Sequence, residues 1–200
     1  MERVRATLTR QRIGIGYAAT PTRRRTLVLI GMNFACFAAL AGYTIYVRTT
    51  AKDWPIAPPF EFGNLLMVFA MAMAAVCGST TMVAGSHSAA KGNPEEAVRW
   101  IAIAISAWLV FLFLECVEWA NLMYLKDLGP ETPFSSSFLL MTGTHWLAVI
   151  ACTIWFTFAI ADVRRRDILA AALYSHFLVI WWIVIVILLY LPNMNPLEDL

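Results

Sequence analysis

The sequence predicts an all-α fold, a bundle of five transmembrane helices in an integral membrane protein, and three observations lead to that prediction. Apolar residues make up 60% of the 200 residues and charged residues only 14%, whereas soluble domains average about 45–50% and about 25%. The mean hydropathy is +0.67. Five apolar runs are each long enough to cross a bilayer, which takes roughly 20 residues.

The five runs are separated by short connections that carry helix breakers or charges. Pro55, Pro58 and Pro59 lie in the first connection, and Gly129 and Pro130 lie in the third. Short connections imply that helices adjacent in sequence are antiparallel neighbours. We expect a basic segment over residues 1–25 and a short tail over 192–200. The predicted spans between them are 26–47, 63–84, 100–124, 137–161 and 168–191.

Basic residues predict the orientation of the chain. Seven of the fifteen Lys and Arg residues lie in the first 25 positions, directly before the first apolar run. Twelve fall on the predicted amino-terminal side of the membrane and three on the other. Because basic loops remain inside, we expect the amino terminus on the cytoplasmic or matrix side and the carboxyl terminus outside. A nucleic-acid-binding arm, a transit peptide and a cleavable secretory signal are less favoured readings of this segment.

Small residues in the apolar runs carry two further expectations. The four cysteines, Cys36, Cys77, Cys116 and Cys152, lie in four different runs with no CxxC pair, so we interpret them as small buried residues without disulfide or metal. Two stripes at spacings of four predict close helix approach. One stripe consists of Ala70, Ala74 and Gly78, and the other consists of Ala38 and Gly42.

Two carboxylates interrupt the third run. Glu115 and Glu118 are three residues apart and therefore share one helix face. A rise of about 1.5 Å per residue places Glu115 roughly 22 Å from Trp100, in the outer third of the membrane. Because an ionised group is costly in hydrocarbon, both glutamates should face protein or water.

Histidines lie at three places along the runs. His87 lies at the inner end of the second run, His145 in the fourth and His176 in the fifth. A haem held between His145 and His176 is one hypothesis, although the two are offset by roughly 6 Å in depth. A di-iron site is disfavoured because the acidic pair is ExxE and not ExxH. Copper is disfavoured because no Cys or Met cluster accompanies the histidines.

We favour a buried polar group at His145. A glutamate of the third helix and His145 lie at similar depth on helices adjacent in sequence, so we expect a hydrogen-bonded pair that joins them. Such a pair can also hold a proton. We therefore select four residues as buried polar residues with a candidate proton-linked role, and no residue as a catalytic, cofactor or metal site. They are Glu115, Glu118, His145 and His176.

Several motifs resemble subunit III of the haem-copper respiratory oxidases. Thr142–Trp146 stand where that family has a TGFHGxHV-like segment, and AALYSHFLVIWW, 171–182, resembles its AAWYWHFVDVVW-like segment. Glu115, Glu118 and Trp119 match an LxQxxEY-like segment, with glutamate in the glutamine position. Shorter matches are Ser86–Ser88 to an HHS-like segment, Asn64 to an Asn-Thr helix entry and Trp54–Pro55 to a WPP loop.

The resemblance covers roughly residues 26–191 in order, with three departures. Many members have a glutamate early in the first of these helices, where this chain has Met32 or Asn33. Val179 replaces an aspartate of the fifth-helix segment, and Val149 or a neighbour replaces the second histidine of the fourth. A role carried by those family residues does not transfer.

The resemblance implies a non-catalytic subunit that binds no haem or copper itself. It implies packing against the oxidase subunits I and II, which carry those cofactors. It also implies phospholipid binding and support of proton uptake. The expected location is a bacterial inner membrane or an equivalent energy-transducing membrane. A basic inner rim should attract lipid headgroups. It comprises Arg23, Arg24, Arg25, His87, Arg99, Arg164, Arg165 and Arg166.

Three alternatives stay open from the sequence. An accessory subunit of a nitric oxide reductase has the same fold and motifs, and only the purified partner separates it from an oxidase subunit. A di-haem b-type membrane anchor would use His145 and His176. A small transporter is disfavoured because the sequence shows neither internal repeats nor broken helices.

Overall fold

The computed structural model describes residues 21–52, 54, 62–125, 131–161, 163 and 168–190. Within these residues it contains five long helices and no strand. All five are long and apolar enough to cross a membrane, so the predicted all-α, five-helix fold is confirmed. They are α1 Pro21–Thr50, α2 Phe62–Ala90, α3 Pro94–Ala120, α4 Pro133–Ala161 and α5 Ile168–Tyr190, with a π-helical turn, Asn121–Leu125, after α3.

Local sequence explains where several helices begin and end. Proline is the first residue of α1, α3 and α4, a position at which its missing N–H costs nothing. Helix α2 ends in a Schellman motif: the Gly92 N–H donates to the Ala89 carbonyl and the Asn93 N–H to the Ser88 carbonyl, at 3.0 Å each. Gly92 has a φ of +83°, a conformation that glycine adopts without strain. The α2–α3 turn is therefore short and places these two helices side by side.

Helices α2, α3, α4 and α5 form a ring in which each helix packs on the next and α5 returns to α2. Helix α1 packs outside this ring against α4 and α5. Side chains from α3 cross the centre to α5: Trp108 Nε1 donates to Ser175 Oγ at 3.2 Å, and the rings of Phe111 and Trp182 are 5.0 Å apart. The core is therefore an aromatic cluster along the axis of a four-helix bundle.

The two small-residue stripes have different outcomes. Gly78 is buried on α2 directly beneath Trp108, and the Ala70 at the other end of its stripe is exposed. Ala38 and Gly42 are exposed on α1, so the prediction of a close approach there is wrong. Composition does not show which face of an apolar helix meets another helix, because the lipid-facing side is equally apolar.

The prediction that the four cysteines are buried is correct for only one of them. Cys152 is buried, whereas Cys36, Cys77 and Cys116 are exposed on helix faces that point away from the bundle. All four are free thiols. A small apolar side chain is tolerated on either face of a transmembrane helix, so the type of residue does not predict its burial.

Replacing Gly78 tests the tight packing of α2 on α3. A Cβ at this position would lie 2.7 Å from Trp108 Nε1, and Trp108 is fully buried. We expect Gly78→Ala to lower the free energy of unfolding in detergent by about 1–3 kcal/mol, the usual cost of overpacking. Gly143→Ala is the control, because a Cβ there meets no atom within 4 Å. Equal denaturation midpoints for the two variants would contradict this packing.

Candidate functional site

One face of α3 carries both carboxylates into the bundle. Trp108, Phe111, Glu115 and Glu118 follow one another at spacings of three and four, and all are buried. Glu115 is 1% exposed and Glu118 is 2% exposed. Because this spacing follows the 3.6-residue period of an α-helix, the aromatic residues that pack the core also direct the two carboxylates inward.

The two carboxyl groups occupy the end of the bundle near the π-helical turn. Tyr190, the last residue of α5, lies beside Glu118 and near Glu115. Glu115 Oε2 and Glu118 Oε1 are buried and hydrogen-bond to no residue that the structure describes. A carboxyl group with an uncommitted oxygen can accept a hydrogen bond or carry a proton. The chemistry available here is therefore polar contact or proton binding.

His145 lies at the centre of the bundle in an aromatic setting. It is fully buried, and its Nε2 is 3.0 Å from the Leu178 carbonyl of α5. The rings of Phe111 and Trp182 lie 5.5 and 5.7 Å from the imidazole. The contact with Leu178 joins α4 to α5 through a backbone carbonyl.

The expected hydrogen bond between a glutamate and His145 is not made in this structure. His145 Nε2 contacts Leu178, and its Nδ1 bonds to no described residue. Phe111 covers the imidazole one helical turn before Glu115, so an aromatic ring occupies the level at which a carboxylate would meet His145. Residue spacing placed the two groups at similar depth, but it did not predict which side chain fills the space between them.

The structure corrects the predicted burial of His176. The residue is exposed on α5, and a hydrogen bond joins its Nδ1 to Ser79 Oγ of α2. His145 points inward from α4 towards Leu178. The two imidazoles therefore do not face one another, so this arrangement does not fit the bis-histidine haem hypothesis. Among the described residues no group of three or more His, Cys, Asp or Glu is placed to hold a metal.

Two tryptophan contacts that residue spacing did not predict join α3 to α4. Trp119 Nε1 donates to Thr142 Oγ1 at 2.9 Å, and Trp146 Nε1 donates to the Leu112 carbonyl at 3.4 Å. The two indole rings are 5.7 Å apart. An indole N–H within an apolar run needs a hydrogen-bond acceptor. The sequence could therefore have indicated that each tryptophan bonds to another group, but not which group.

Only part of the predicted basic rim lies within the residues that the structure describes. Arg24, Arg25, His87 and Arg99 are exposed. Because α1 and α3 begin and α2 ends at the same end of the bundle, these residues lie at one end. The side chain of Arg23 and the whole of Arg164, Arg165 and Arg166 lie outside the described residues. The exposed cations form a surface that can bind anionic groups.

Curated proteins with similar sequences carry subunit 3 names. The chain is 27% identical over 174 residues to "Probable cytochrome c oxidase subunit 3" of Mycobacterium tuberculosis, covering 82% of this chain and 85% of that protein. It is 27% identical over 163 residues to "Cytochrome bo(3) ubiquinol oxidase subunit 3" of Pseudomonas aeruginosa, covering 77% and 76%. No protein-family model matches the chain.

A third relative carries the same subunit name. The chain is 26% identical over 175 residues to "Cytochrome c oxidase subunit 3" of Alkalihalophilus pseudofirmus, covering 83% of this chain and 84% of that protein. The similarity therefore extends over most of both chains. The resemblance predicted from those motifs is therefore confirmed: this multi-pass membrane chain is similar over most of its length to curated proteins named as subunit 3 of cytochrome c and ubiquinol oxidases.

Proposed function

We propose that the chain is the non-catalytic subunit III of a haem-copper terminal oxidase and stabilises the catalytic subunit of that complex. The observation that carries this proposal is the similarity, over about four fifths of the chain, to proteins named as subunit 3 of oxidases. The named relatives belong to both cytochrome c and ubiquinol oxidases. We therefore propose subunits I and II of an oxidase as partners, with either cytochrome c or a quinol as the electron donor.

The geometry of the bundle supports an auxiliary role. The centre is filled by Trp108, Phe111, His145 and Trp182, whose side chains pack on one another. A bundle filled in this way supplies a rigid surface to a partner. We assign haem and copper to the partner subunits. We propose that the amino terminus lies on the cytoplasmic side of the bacterial cell membrane, because exposed cations gather at the end where α1 begins.

Phospholipid binding is proposed at this basic end. Arg24, Arg25 and Arg99 are exposed where headgroups meet a transmembrane bundle, and His87 and Lys91 lie at the same end. A basic residue close to an anionic membrane surface contributes about 1 kcal/mol of attraction. The occupants we propose are anionic phospholipids, held by their headgroups.

Support of proton uptake is proposed for the buried carboxyl groups. Glu115 and Glu118 stand one turn apart in the bundle, with Tyr190 of α5 beside them. Ionisable residues inside a membrane protein often belong to proton relays. The proposal keeps His145 and His176 as further polar residues linked to proton uptake, although they lie in other parts of the bundle than the two glutamates.

Purification from native membranes tests the proposed complex. We expect a mildly solubilised, tagged chain to bring down a haem- and copper-containing subunit with oxygen-reducing activity. The absorbance spectrum and mass spectrometry of the co-purified polypeptides measure this. Recovery of a nitric oxide reductase would reassign the partner. Haem that remains with the isolated chain after the partners are removed would refute a cofactor-free subunit.

Charge removal tests the lipid rim. Arg24→Gln, Arg25→Gln and Arg99→Gln together should reduce the anionic phospholipid retained by the complex, by about 1 kcal/mol of binding free energy per residue. Native mass spectrometry measures the retained lipid. Lys52→Gln is the control, because Lys52 is exposed and follows α1 at the opposite end. Equal lipid retention in the triple variant and the control would exclude this rim as the binding surface.

Two replacements of Glu118 separate a structural from a proton-linked role. Glu118→Leu removes both hydrogen bonding and charge, so we expect it to weaken assembly by about 1–2 kcal/mol, as for intramembrane hydrogen bonds. Glu118→Gln keeps the shape and hydrogen-bonding capacity, so it should assemble normally but lower the turnover of the complex. Subunit recovery and oxygen consumption measure these effects. If the complex with Glu118→Gln turned over as fast as the complex with the unchanged chain, the role of Glu118 would be structural only.

A further inference from the structure

Helix α5 has an outward face that the described part of the bundle leaves uncovered. Helices α1 and α2 both pack on α5 but, within the described residues, not on each other. Between them lies a stripe at spacings of three and four: Leu173, His176, Ile180, Ile183 and Ile187. The three isoleucines are 50–60% exposed. We call this stripe the α5 groove.

The walls of the groove are set by contacts on either side of the stripe. On one side, Phe177 and Trp181 of α5 pack on Phe37 of α1, with ring centroids 6.2 and 5.0 Å away. On the other side, His176 bonds to Ser79 of α2. Val76 and Val83 lie one turn on either side of Ser79 and are 43% and 38% exposed. The groove is therefore apolar along both its floor and the wall formed by α2.

His176 is the exception in this apolar surface, and its depth makes it informative. It lies eight residues after the start of α5 at Ile168, which is roughly 12 Å along the helix axis. That depth is within the hydrocarbon, which is about 30 Å thick. Ser79 engages Nδ1, and no described residue hydrogen-bonds the other ring nitrogen of this exposed side chain. An acyl chain offers that nitrogen no partner.

Several other polar side chains on the outer surface of the helices are satisfied locally. Their hydroxyl or amide groups donate to carbonyl oxygens four residues earlier in the same helix, so they need no external partner. These residues are Asn33, Thr80, Ser106, Thr144 and Thr157. His176 cannot bond in this way, because Ser79 on the neighbouring helix holds its ring. The unmet hydrogen-bonding capacity of His176 therefore distinguishes the α5 groove from these five positions.

We propose that the α5 groove docks a transmembrane helix of the catalytic oxidase subunit, which presents a hydroxyl, amide or carboxyl side chain to His176. This inference rests on the proposed function and specifies its interface. A protein helix fits both features of the surface: apolar side chains cover the isoleucines, and one polar side chain bonds the imidazole. The hydrogen-bonding groups of a phospholipid lie at the membrane interface, too far along the axis to reach His176.

Site-specific photo-cross-linking in the intact complex tests the proposal. A photoreactive benzoyl-phenylalanine replaces Ile180, which is 60% exposed in the groove, or Leu147, which is 63% exposed on α4. We expect the probe at position 180 to cross-link to the catalytic subunit and the matched probe at 147 to react mainly with lipid. Three results in an intact complex would overturn the inference. They are a cross-link to the catalytic subunit from position 147 alone, a cross-link from position 180 to a second copy of this chain, and a cross-link from position 180 to lipid only.

Failure of the proposed function gives a different result. If no oxidase subunit co-purifies with the chain, the oxidase role is wrong. A cross-link from position 180 to another membrane protein would then keep the groove as a docking surface and change its partner, which overturns the inference as stated. A correct oxidase role with an incorrect groove appears as a purified, active complex without a cross-link from position 180.

Variants of His176 provide a second measurement. His176→Ala should lower the recovery of the catalytic subunit with the chain roughly threefold, the effect of an average intramembrane hydrogen bond. His176→Gln should restore part of that recovery. Thr80→Val is the control, since Thr80 is also exposed, next to Ser79 in the sequence, but bonds within α2. Equal recovery for His176→Ala and Thr80→Val would contradict a polar contact at His176.

Discussion

No water satisfies a polar group in the hydrocarbon of a bilayer, and this constraint governs the placement of polar side chains in the bundle. Outward hydroxyls such as Thr80 and Thr144 bond back to their own helices. Inward groups bond across helices: Trp108 to Ser175, Trp119 to Thr142 and His145 to the Leu178 carbonyl. These contacts fix which helices adjoin and at what height, a task that apolar packing alone does poorly when lipid is equally apolar.

Helix α5 is the element through which these contacts converge. It packs against α1, α2 and α4, and it receives Trp108 and Phe111 from α3 across the centre. Its inward face carries Ser175, Leu178 and Trp182, while its outward face carries His176 and three exposed isoleucines. One helix therefore both organises the interior and provides the surface on which we place the partner.

A subunit built this way would act on an oxidase by contact. Among the described residues, the carboxyl pair on α3, the imidazole of His145 and the exposed His176 lie in three separate places of the bundle. Similarity to curated oxidase subunits 3 gives these places a common context. In that context, the interior maintains the shape of the bundle, the α5 groove is the surface we propose for the partner, and the basic end is the surface we propose for lipid.

The sequence by itself determined the all-α class, the five helices and the family resemblance, because hydrophobic run length and short motifs are local properties of the chain. It also predicted the burial of Glu115, Glu118 and His145, since ionisable groups avoid lipid. Only the tertiary structure decided that Phe111 stands where the Glu–His145 pair was expected, that His176 faces outward to Ser79, and that Gly78 and not Gly42 meets another helix. The physical reason is that the lipid-facing and the bundle-facing sides of these helices are both largely apolar, so the rotation of each helix about its axis is set by contacts between residues distant in sequence.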